Sequence, residues 1–230
     1  TLGLGSGENL NEHVVGLGWP SVAVRHERLV EALDIINALF DGGYVTLRGQ
    51  HYQVDSAKLW DLPTQRVPIA VAVSGGQSCE AFAPLADHMI AVEPKPELGR
   101  MWDAARPDKG SSRRIGQLPI CFDADRDAAI SRAHEQFRWF AGGWKVNAEL
   151  PSTAGFADAS QFLRPQDIAE SISCGPDVAA HVAAARPFAE AGFTDLALVQ
   201  IGGAPQHQEP FLDYAADELL PALRAEFGVG

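Results

Sequence analysis

The sequence predicts an α/β protein built on a parallel sheet, and three observations lead to this expectation. Short apolar segments alternate with helical segments along most of the chain. The apolar segments are continuous, which is typical of strands buried on both faces of a sheet. Hydrophobic residues make up 46% and charged residues 21% of the 230 residues, an ordinary globular balance. The predicted core strands are 1–5, 68–73, 88–92, 114–122 and 195–201.

The first part of the chain is predicted to contain one long helix and a small hairpin. Residues 6–18 are expected to form a loop or a short helix. Trp19-Pro20-Ser21 then introduces a helix that runs to about Phe40, and Asp41-Gly42-Gly43 ends it. Residues 44–54 are β-branched and aromatic around a break at 48–50, which indicates a hairpin. The apolar face of the helix contains Leu29, Leu33, Ile36 and Phe40.

The later strands are each followed by a predicted helix. Residues 142–164 look irregular and are interpreted as a loop insertion. Pro176 suits the first turn of a helix that Gly192 ends. The predicted helices are 74–87, 96–105, 125–140, 167–172, 176–191 and 210–227.

Five parallel strands fit two architectures. One is an open doubly wound sheet, and the other is the last five strands of an eight-stranded barrel whose first three precede Thr1. The strand end at Thr1 favours the barrel, and a complete barrel typically needs about 250 residues or more. We therefore expect residues 1–230 to form a single domain, the C-terminal part (about strands 4 to 8) of a (β/α)8 TIM barrel.

Composition and charge exclude several classes of function. The formal net charge of −12 disfavours binding to nucleic acid, and no apolar run is long enough to span a membrane. Cys79, Cys121 and Cys174 fit no Cys-x-x-Cys pattern and are expected to be free thiols in a reducing cytoplasm. The seven histidines show no metal-ligand spacing, so no metal is expected; only His13 and His207 lie near predicted strand ends.

The segment from Gly3 to Glu12 is the first candidate for a binding site. It is neither a dinucleotide fingerprint nor a phosphate-binding loop with a Gly-Lys-Ser/Thr end. A flat ring could lie against a strand end without side-chain bulk, with Glu8 and Asn11 at the polar edge of the ring. The alternative is a plain strand-to-helix turn in which Glu8 is a solvated cap.

Three further segments could contribute to a site. Residues 74–78, Ser-Gly-Gly-Gln-Ser, could hold a phosphate at a helix N-terminus or be a capped turn. Lys95 follows a strand at the edge where barrel active sites lie, or is a solvated lysine at a helix start. Residues 137–140, Phe-Arg-Trp-Phe, with Trp144 and Lys145, could be an aromatic wall over a pocket or ordinary packing.

Several of these segments resemble the luciferase-like flavin and deazaflavin oxidoreductases, in particular the branch of F420-dependent glucose-6-phosphate dehydrogenases. The resemblance covers essentially the whole chain, and its most specific part is Ser-Gly-Glu-Asn-Leu-Asn-Glu at 6–12, followed by Trp19-Pro20. Weaker agreements are the loosely matching helix around Arg28, Leu29 and Glu31, Gly49-Gln50-His51-Tyr52, residues 68–75 and Ala86-Asp87.

The resemblance implies an F420-binding TIM barrel that begins here at about its fourth strand. Glu8 would then be the acid/base carboxylate near the pyrimidine edge of the deazaflavin. The family's other catalytic group, a histidine, would lie before Thr1. The residues implied to contact the deazaflavin are Ser6, Gly7 and Asn11, and those implied to hold the region of its tail phosphate are Ser74, Gly75 and Gln77.

The implied reaction is hydride transfer between the deazaflavin and an alcohol, a hemiacetal or an activated alkene. Relatives that use glucose 6-phosphate bind its phosphate with a Thr, two Lys and an Arg. Here Lys95 is retained, Val92 stands at the Thr position, and neither 150–151 nor 170–171 contains a basic residue. Each lost charged contact is worth about 1.5–3 kcal/mol, which argues against glucose 6-phosphate and leaves Lys95 as the candidate substrate residue.

Two alternatives stay open at this point. One is an FMN-dependent luciferase-like monooxygenase, and the other is a non-catalytic barrel fragment that holds a ligand. The expected partner is a small-molecule substrate, and the resemblance makes a homodimer plausible. The sequence itself names neither the substrate nor the direction of the reaction.

Overall fold

The computed structural model describes residues 1–16, 18–106 and 110–228. Its strands and helices follow the predicted alternation. The strands are β1 (Leu2–Leu4), β2 (Val45–Arg48), β3 (Gln53–Ala57), β4 (Ile69–Ala72), β5 (His88–Ala91), β6 (Arg114–Cys121), β7 (Ser173–Cys174) and β8 (Asp195–Gln200). The helices are α1 (Asn9–Glu12), α2 (Val22–Phe40), α3 (Gly76–Phe82), α4 (Pro96–Ala104), α5 (Arg126–Phe137), α6 (Trp144–Asn147), α7 (Thr153–Ser160), α8 (Pro165–Ser171), α9 (Val178–Glu190), α10 (Pro205–Tyr214) and α11 (Leu220–Phe227).

The main sheet is parallel throughout, as the continuous apolar strands predict. Strands β1, β4, β5, β6 and β7 follow one another in the sheet, and β8 also pairs with β6. Strand β4 is buried at three of its four positions, which explains why it reads as an uninterrupted apolar run. Because the strands are parallel, their carboxyl ends lie at one edge of the sheet. The segments that follow β1, β4 and β5 at this edge contain the candidate residues 5–8, 74 and 92–93.

The sequence predictions are wrong in three local respects. Residues 142–164 are not irregular but contain α6 and α7. The two-residue strand β7 was not predicted, because a pair of residues is too short to show a periodicity. The last helical segment begins at Pro205 rather than Pro210, and a π-helical turn at Ala215–Leu219 joins α10 to α11.

The predicted hairpin is present as β2 and β3, and the Glu31 carboxylate of α2 binds the backbone of its turn. Glu31 accepts backbone hydrogen bonds from Gln50, His51 and Tyr52, the last at 2.7 Å. A Cβ atom at Gly49 would lie 1.7 Å from Glu31 Oε1, so only glycine fits this approach. Burial raises the pKa of the Glu31 carboxyl, but the backbone donors lower it by more, and the net pKa lies below its usual value.

Three groups of buried residues form the core. The first surrounds Trp102 and Phe82 between β4, β5 and the helices that follow them. The second surrounds Phe188 and Tyr214 between β6 and the C-terminal helices, and the third surrounds Cys121 at the pairing of β6 with β7. All three cysteines are free and buried. Within the described ranges, no helix combines the length and apolar character needed to cross a membrane.

Candidate functional site

Two adjoining cavities lie at the carboxyl edge of the sheet. The larger has a volume of about 750 Å³ and the smaller of about 400 Å³. The residues that line both cavities are Glu8, Val92, Glu93, Gln117 and Trp144. Because each cavity shares this wall with the other, a ligand in one would lie directly beside a ligand in the other.

The smaller cavity, called the glycine cavity below, is lined by the loop that follows β1. Gly5, Ser6 and Gly7 contribute backbone with little side-chain bulk, and Asn11 adds an amide from α1. A Cβ atom at Gly5 would lie 3.5 Å from the Cβ of Ala72, which is ordinary van der Waals contact beside the end of β4. The loop therefore offers a smooth wall with polar groups at its edge.

Glu8 occupies the junction of the two cavities because the backbone turns at Gly7. Gly7 has a φ of +87°, and a Cβ atom there would lie 2.8 Å from Glu12 Oε1. Glu8 is the N-terminal cap residue of α1, and its carbonyl oxygen accepts hydrogen bonds from the amides of Asn11 and Glu12 at 3.0 Å. The Glu8 side chain makes no capping hydrogen bond and lines both cavities.

The turn between β4 and α3 faces the glycine cavity only in part. The Ser78 hydroxyl accepts hydrogen bonds from the amides of Ser74 and Gly75 and donates one to the Gly75 carbonyl oxygen. Both Ser74 and Ser78 line the cavity, and the Ser78 hydroxyl is used inside the turn. Nothing lies within 4 Å of a Cβ atom built on Gly75, so open space surrounds that residue.

His26 is a cavity residue that the sequence did not indicate. It lines the glycine cavity from α2 while its ring packs edge-on against Phe82. Burial, followed by the charge of Arg25, lowers the pKa of the His26 imidazole. The histidine therefore contributes a neutral polar ring to the cavity at neutral pH.

The larger cavity, called the aromatic cavity below, is walled by the side chains that follow β6 and α5. Trp139 packs 4.4 Å from Phe137 and 5.8 Å from Phe156, measured between ring centroids. The aromatic side chains on its wall are Phe137, Trp139, Phe140, Trp144 and Phe156. Of the two interpretations of residues 137–144, the aromatic wall is thus the one that the structure supports, although Lys145 is exposed and lies outside it.

The position of the wall is set by a buried amide. Asn147 Nδ2 donates a hydrogen bond of 3.1 Å to the carbonyl oxygen of Trp139, and Asn147 is buried. Gly143 has a φ of +76° and lets the chain reverse between the 3-10 turn Arg138–Gly142 and α6. The aromatic residues on both sides of this reversal therefore face the same space.

Comparison with known proteins identifies the family. The model of the luciferase-like monooxygenase family matches residues 1–216. The chain belongs to the luciferase-like monooxygenase family. This confirms the resemblance recognised in the sequence, and it places the two cavities at the edge of a luciferase-like α/β fold.

Curated proteins are similar to this chain along almost its whole length. A protein of Nakamurella multipartita named F420-dependent glucose-6-phosphate dehydrogenase is 33% identical over 249 aligned positions, which cover 100% of this chain and 69% of that protein. A protein of Mycobacterium tuberculosis named F420-dependent hydroxymycolic acid dehydrogenase is 26% identical, covering 96% of this chain and 58% of that protein. These relatives carry names of F420-dependent oxidoreductases.

A solved structure of the luciferase-like fold agrees with this assignment. The F420-dependent secondary alcohol dehydrogenase in complex with an F420-acetone adduct superimposes with a TM-score of 0.80 at 22% sequence identity. The alignment covers 96% of this chain and 69% of that protein. The prediction of a luciferase-like α/β fold with a parallel sheet is thereby confirmed.

The structure brings most of the predicted site residues of this luciferase-like chain together. Gly75 and Gln77 lie at the start of α3 beside the glycine cavity, but they are not among the residues that line it. Lys95 forms an ion pair with Glu93 and caps α4, so it lies next to the shared wall rather than on it. The predicted residues that line a cavity are Ser6, Gly7, Glu8, Asn11 and Ser74.

Other residues that line the cavities were not predicted from the sequence. Gln117 lies inside β6, where a single polar residue of a strand has no motif to reveal it. Phe156 lies on α7, in the stretch interpreted as a loop. In the part of the chain that the structure describes, no three His, Cys, Asp or Glu residues are grouped as metal ligands.

Proposed function

We propose that this chain carries the cofactor and substrate cavities of an F420-dependent oxidoreductase. Its reaction is hydride transfer between the deazaflavin and an alcohol, a hemiacetal or an activated alkene. The observation that carries the proposal is the shared wall at Glu8, where a cavity with a glycine-rich side meets a cavity with an aromatic side. The names of the relatives, F420-dependent dehydrogenases, support the same cofactor.

The glycine cavity suits a deazaflavin ring. Its wall of Gly5, Ser6 and Gly7 accommodates a flat ring without steric conflict, and Asn11 and Glu8 offer polar groups to the ring edge. The open space around Gly75 lets a cofactor tail pass close to the backbone at the start of α3. Ser74 and the first amides of α3 are the groups proposed to hold the tail phosphate.

The residues of the chain act by orientation and proton handling. F420, when bound, supplies the site that accepts or donates the hydride. Glu8 can hold or release a proton at the edge of the glycine cavity, and its backbone carbonyl bonds to α1 keep the carboxylate at the junction. The aromatic rings of the larger cavity exclude water and position the substrate carbon.

The substrate proposed for the aromatic cavity is not a sugar phosphate. Val92 is apolar at the shared wall, and Lys95 is engaged with Glu93. The wall also contains the carboxylates of Glu8, Glu93 and Glu135, which repel a phosphate dianion. A less charged organic alcohol or carbonyl compound fits this cavity better.

Titration of the full-length protein with F420 and with FMN, each oxidised and reduced, tests the proposal. We expect micromolar binding of F420 and exclusion of FMN. Gly75→Ala should weaken F420 binding by about tenfold or more, because the added methyl group would enter the space proposed for the cofactor tail. It should not lower stability, because Gly75 has an extended φ of −172° and open space around it. Glu8→Gln should retain binding and slow hydride transfer.

Each alternative predicts a different result of this titration. Glu80→Ala, an exposed change on the same helix, is the matched control and should leave F420 affinity unchanged. Tight binding of FMN would assign the protein to the flavin-dependent monooxygenases of the family. Binding of neither cofactor would support a non-catalytic role and contradict the proposed function.

A further inference from the structure

The aromatic cavity contains one cationic side chain, Arg138, among its described wall residues. Arg138 follows α5 in the 3-10 turn, between the wall residues Phe137 and Trp139. Its Nε atom is buried and has no hydrogen-bond partner among the described residues. Because Arg138 lines the cavity and no described carboxylate pairs with it, its positive charge is available to an anion bound there.

The surrounding charges leave Arg138 available to a ligand. Glu93 on the same wall is already paired with Lys95. Glu135 is exposed at the end of α5, and Glu8 lies at the junction with the glycine cavity. In the described part of the chain no carboxylate forms a salt bridge with Arg138, in contrast to Arg132, which Asp123 pairs at 2.7 Å.

We propose that Arg138 is a specificity-determining residue and that the aromatic cavity takes a substrate with an apolar body and a single carboxylate. The aromatic rings provide contact area for the apolar body, and the guanidinium forms a charge-assisted pair with the carboxylate. One arginine balances one negative charge, whereas a phosphate dianion would leave excess charge beside Glu8 and Glu135. This inference rests on the proposed function in taking the aromatic cavity as the substrate site.

A matched pair of probes measures the contribution of Arg138 directly. Indole-3-acetate and its neutral analogue indole-3-acetamide have the same ring and differ in charge. We would titrate both by calorimetry into the full-length protein, with and without F420, using the wild type, Arg138→Met, Arg138→Lys and Lys145→Met. Lys145 is an exposed cation of the same segment outside the cavity wall and serves as the control.

The expected result is a preference of the wild type for the carboxylate. Arg138→Met should weaken indole-3-acetate binding by about ten- to a hundredfold and change indole-3-acetamide binding by less than about threefold. Arg138→Lys should restore part of the loss, because the charge remains but the bidentate geometry does not. Lys145→Met should resemble the wild type.

Three outcomes would overturn the inference. The first is the absence of a carboxylate preference in the wild type, and the second is an equal loss for both probes in Arg138→Met. The third is a loss of F420 affinity in Arg138→Met as large as the loss of indole-3-acetate affinity, which would assign the arginine to the cofactor. Selective carboxylate binding by a protein that does not bind F420 would contradict the proposed function and leave this inference standing.

Discussion

Several residues that carry the family resemblance have structural roles in this chain. The Asp87 carboxylate accepts hydrogen bonds from the Ile69 amide at 2.8 Å and from Arg66 at 2.7 Å, so it fixes the start of β4. Burial raises the pKa of Asp87, but these donors and the charge of Arg66 lower it by more. Gly49 is likewise required by its approach to Glu31. A motif residue of a family is therefore not by itself a site residue.

His181 is a fully buried polar residue with a defined protonation state. Its Nδ1 accepts a hydrogen bond from the Ser173 hydroxyl at 2.7 Å, and its Nε2 donates to the Gly175 carbonyl oxygen at 2.9 Å. Burial lowers the pKa of this imidazole, while the bond to Gly175 and the charge of Asp177 oppose the shift. The folded state therefore favours the neutral ring.

This protonation state predicts a loss of stability in acid. Because the pKa of His181 is lower in the folded than in the unfolded state, its contribution is complete above about pH 6.5 and decreases as pH falls below that value. The slope from one group is at most about 1.4 kcal/mol per pH unit. Urea denaturation of the wild type at several pH values between 5 and 8 measures the dependence.

The variant His181→Gln should be less stable by about 1–3 kcal/mol at pH 8 and should have a shallower pH dependence. His13→Asn, which removes an exposed imidazole, is the control and should retain the wild-type dependence. An unchanged slope in His181→Gln would show that another group is responsible for the loss of stability in acid.

At the scale of the elements, β6 is the strand on which the sheet converges. It pairs with β5 at its start, with β8 along most of its length, and with β7 at its end. Gly116, at the start of β6, lies under α9: a Cβ atom there would be 2.4 Å from Phe188 Cδ1 and 2.7 Å from Leu196 Cδ2. The missing side chain allows the helix to pack directly on the sheet.

Gly116→Ala should therefore destabilise the protein by about 1–3 kcal/mol through overpacking. Both of the atoms that a Cβ would meet belong to side chains of the packed interior around Phe188, which have little room to move. Gly203→Ala is the matched control, since nothing lies within 4 Å of a Cβ atom at that position. Equal free energies of unfolding for the two variants in urea denaturation would contradict this account of the packing.

At the scale of the whole molecule, the aromatic cavity depends on contacts between the first 25 residues and the segment 144–150. Trp19 Nε1 donates a hydrogen bond of 2.6 Å to the Glu149 carboxylate, and Arg25 lies 3.9 Å from the same group. The Asn9 side chain donates to the carbonyl oxygen of Glu149 at 2.8 Å. These contacts tie the segment 144–150, which carries part of the aromatic wall, to the loop that carries Glu8.

Glu149→Ala should loosen this connection without unfolding the protein. Glu149 is more than half exposed, so its contacts are expected to contribute no more than about 1 kcal/mol to global stability. Amide hydrogen exchange of residues 144–150 should accelerate severalfold, because local opening no longer requires breaking the contact with Trp19. Arg48→Ala, which breaks the exposed pair with Asp55 in the hairpin, should leave exchange in 144–150 unchanged. Slow exchange in Glu149→Ala would show that the hydrogen bond from the Asn9 side chain to the carbonyl oxygen of residue 149, which this variant keeps, suffices.

The sequence by itself determined the parallel α/β architecture and the position of the glycine cavity. Continuous apolar strands and amphipathic helices are local patterns, and the loop after β1 is a contiguous motif that shows both its glycines and Glu8. The site residues that follow strand ends could be predicted for the same reason, because parallel strands bring their carboxyl ends to one edge. Strand β7 has two residues, and the helices in 142–164 have four and eight. Segments this short do not show a periodicity from which a strand or helix can be predicted.

Only the tertiary structure decided which side chains face each other across the cavities. Ser74 and Ser78 both line the glycine cavity, but the Ser78 hydroxyl is engaged by the backbone of the turn, which the sequence does not show. Lys95 is engaged by Glu93, whereas Arg138 has no such partner among the described residues. Whether a charged side chain is paired and buried depends on the folded backbone and on what packs around it, so spacing in the sequence alone does not show it.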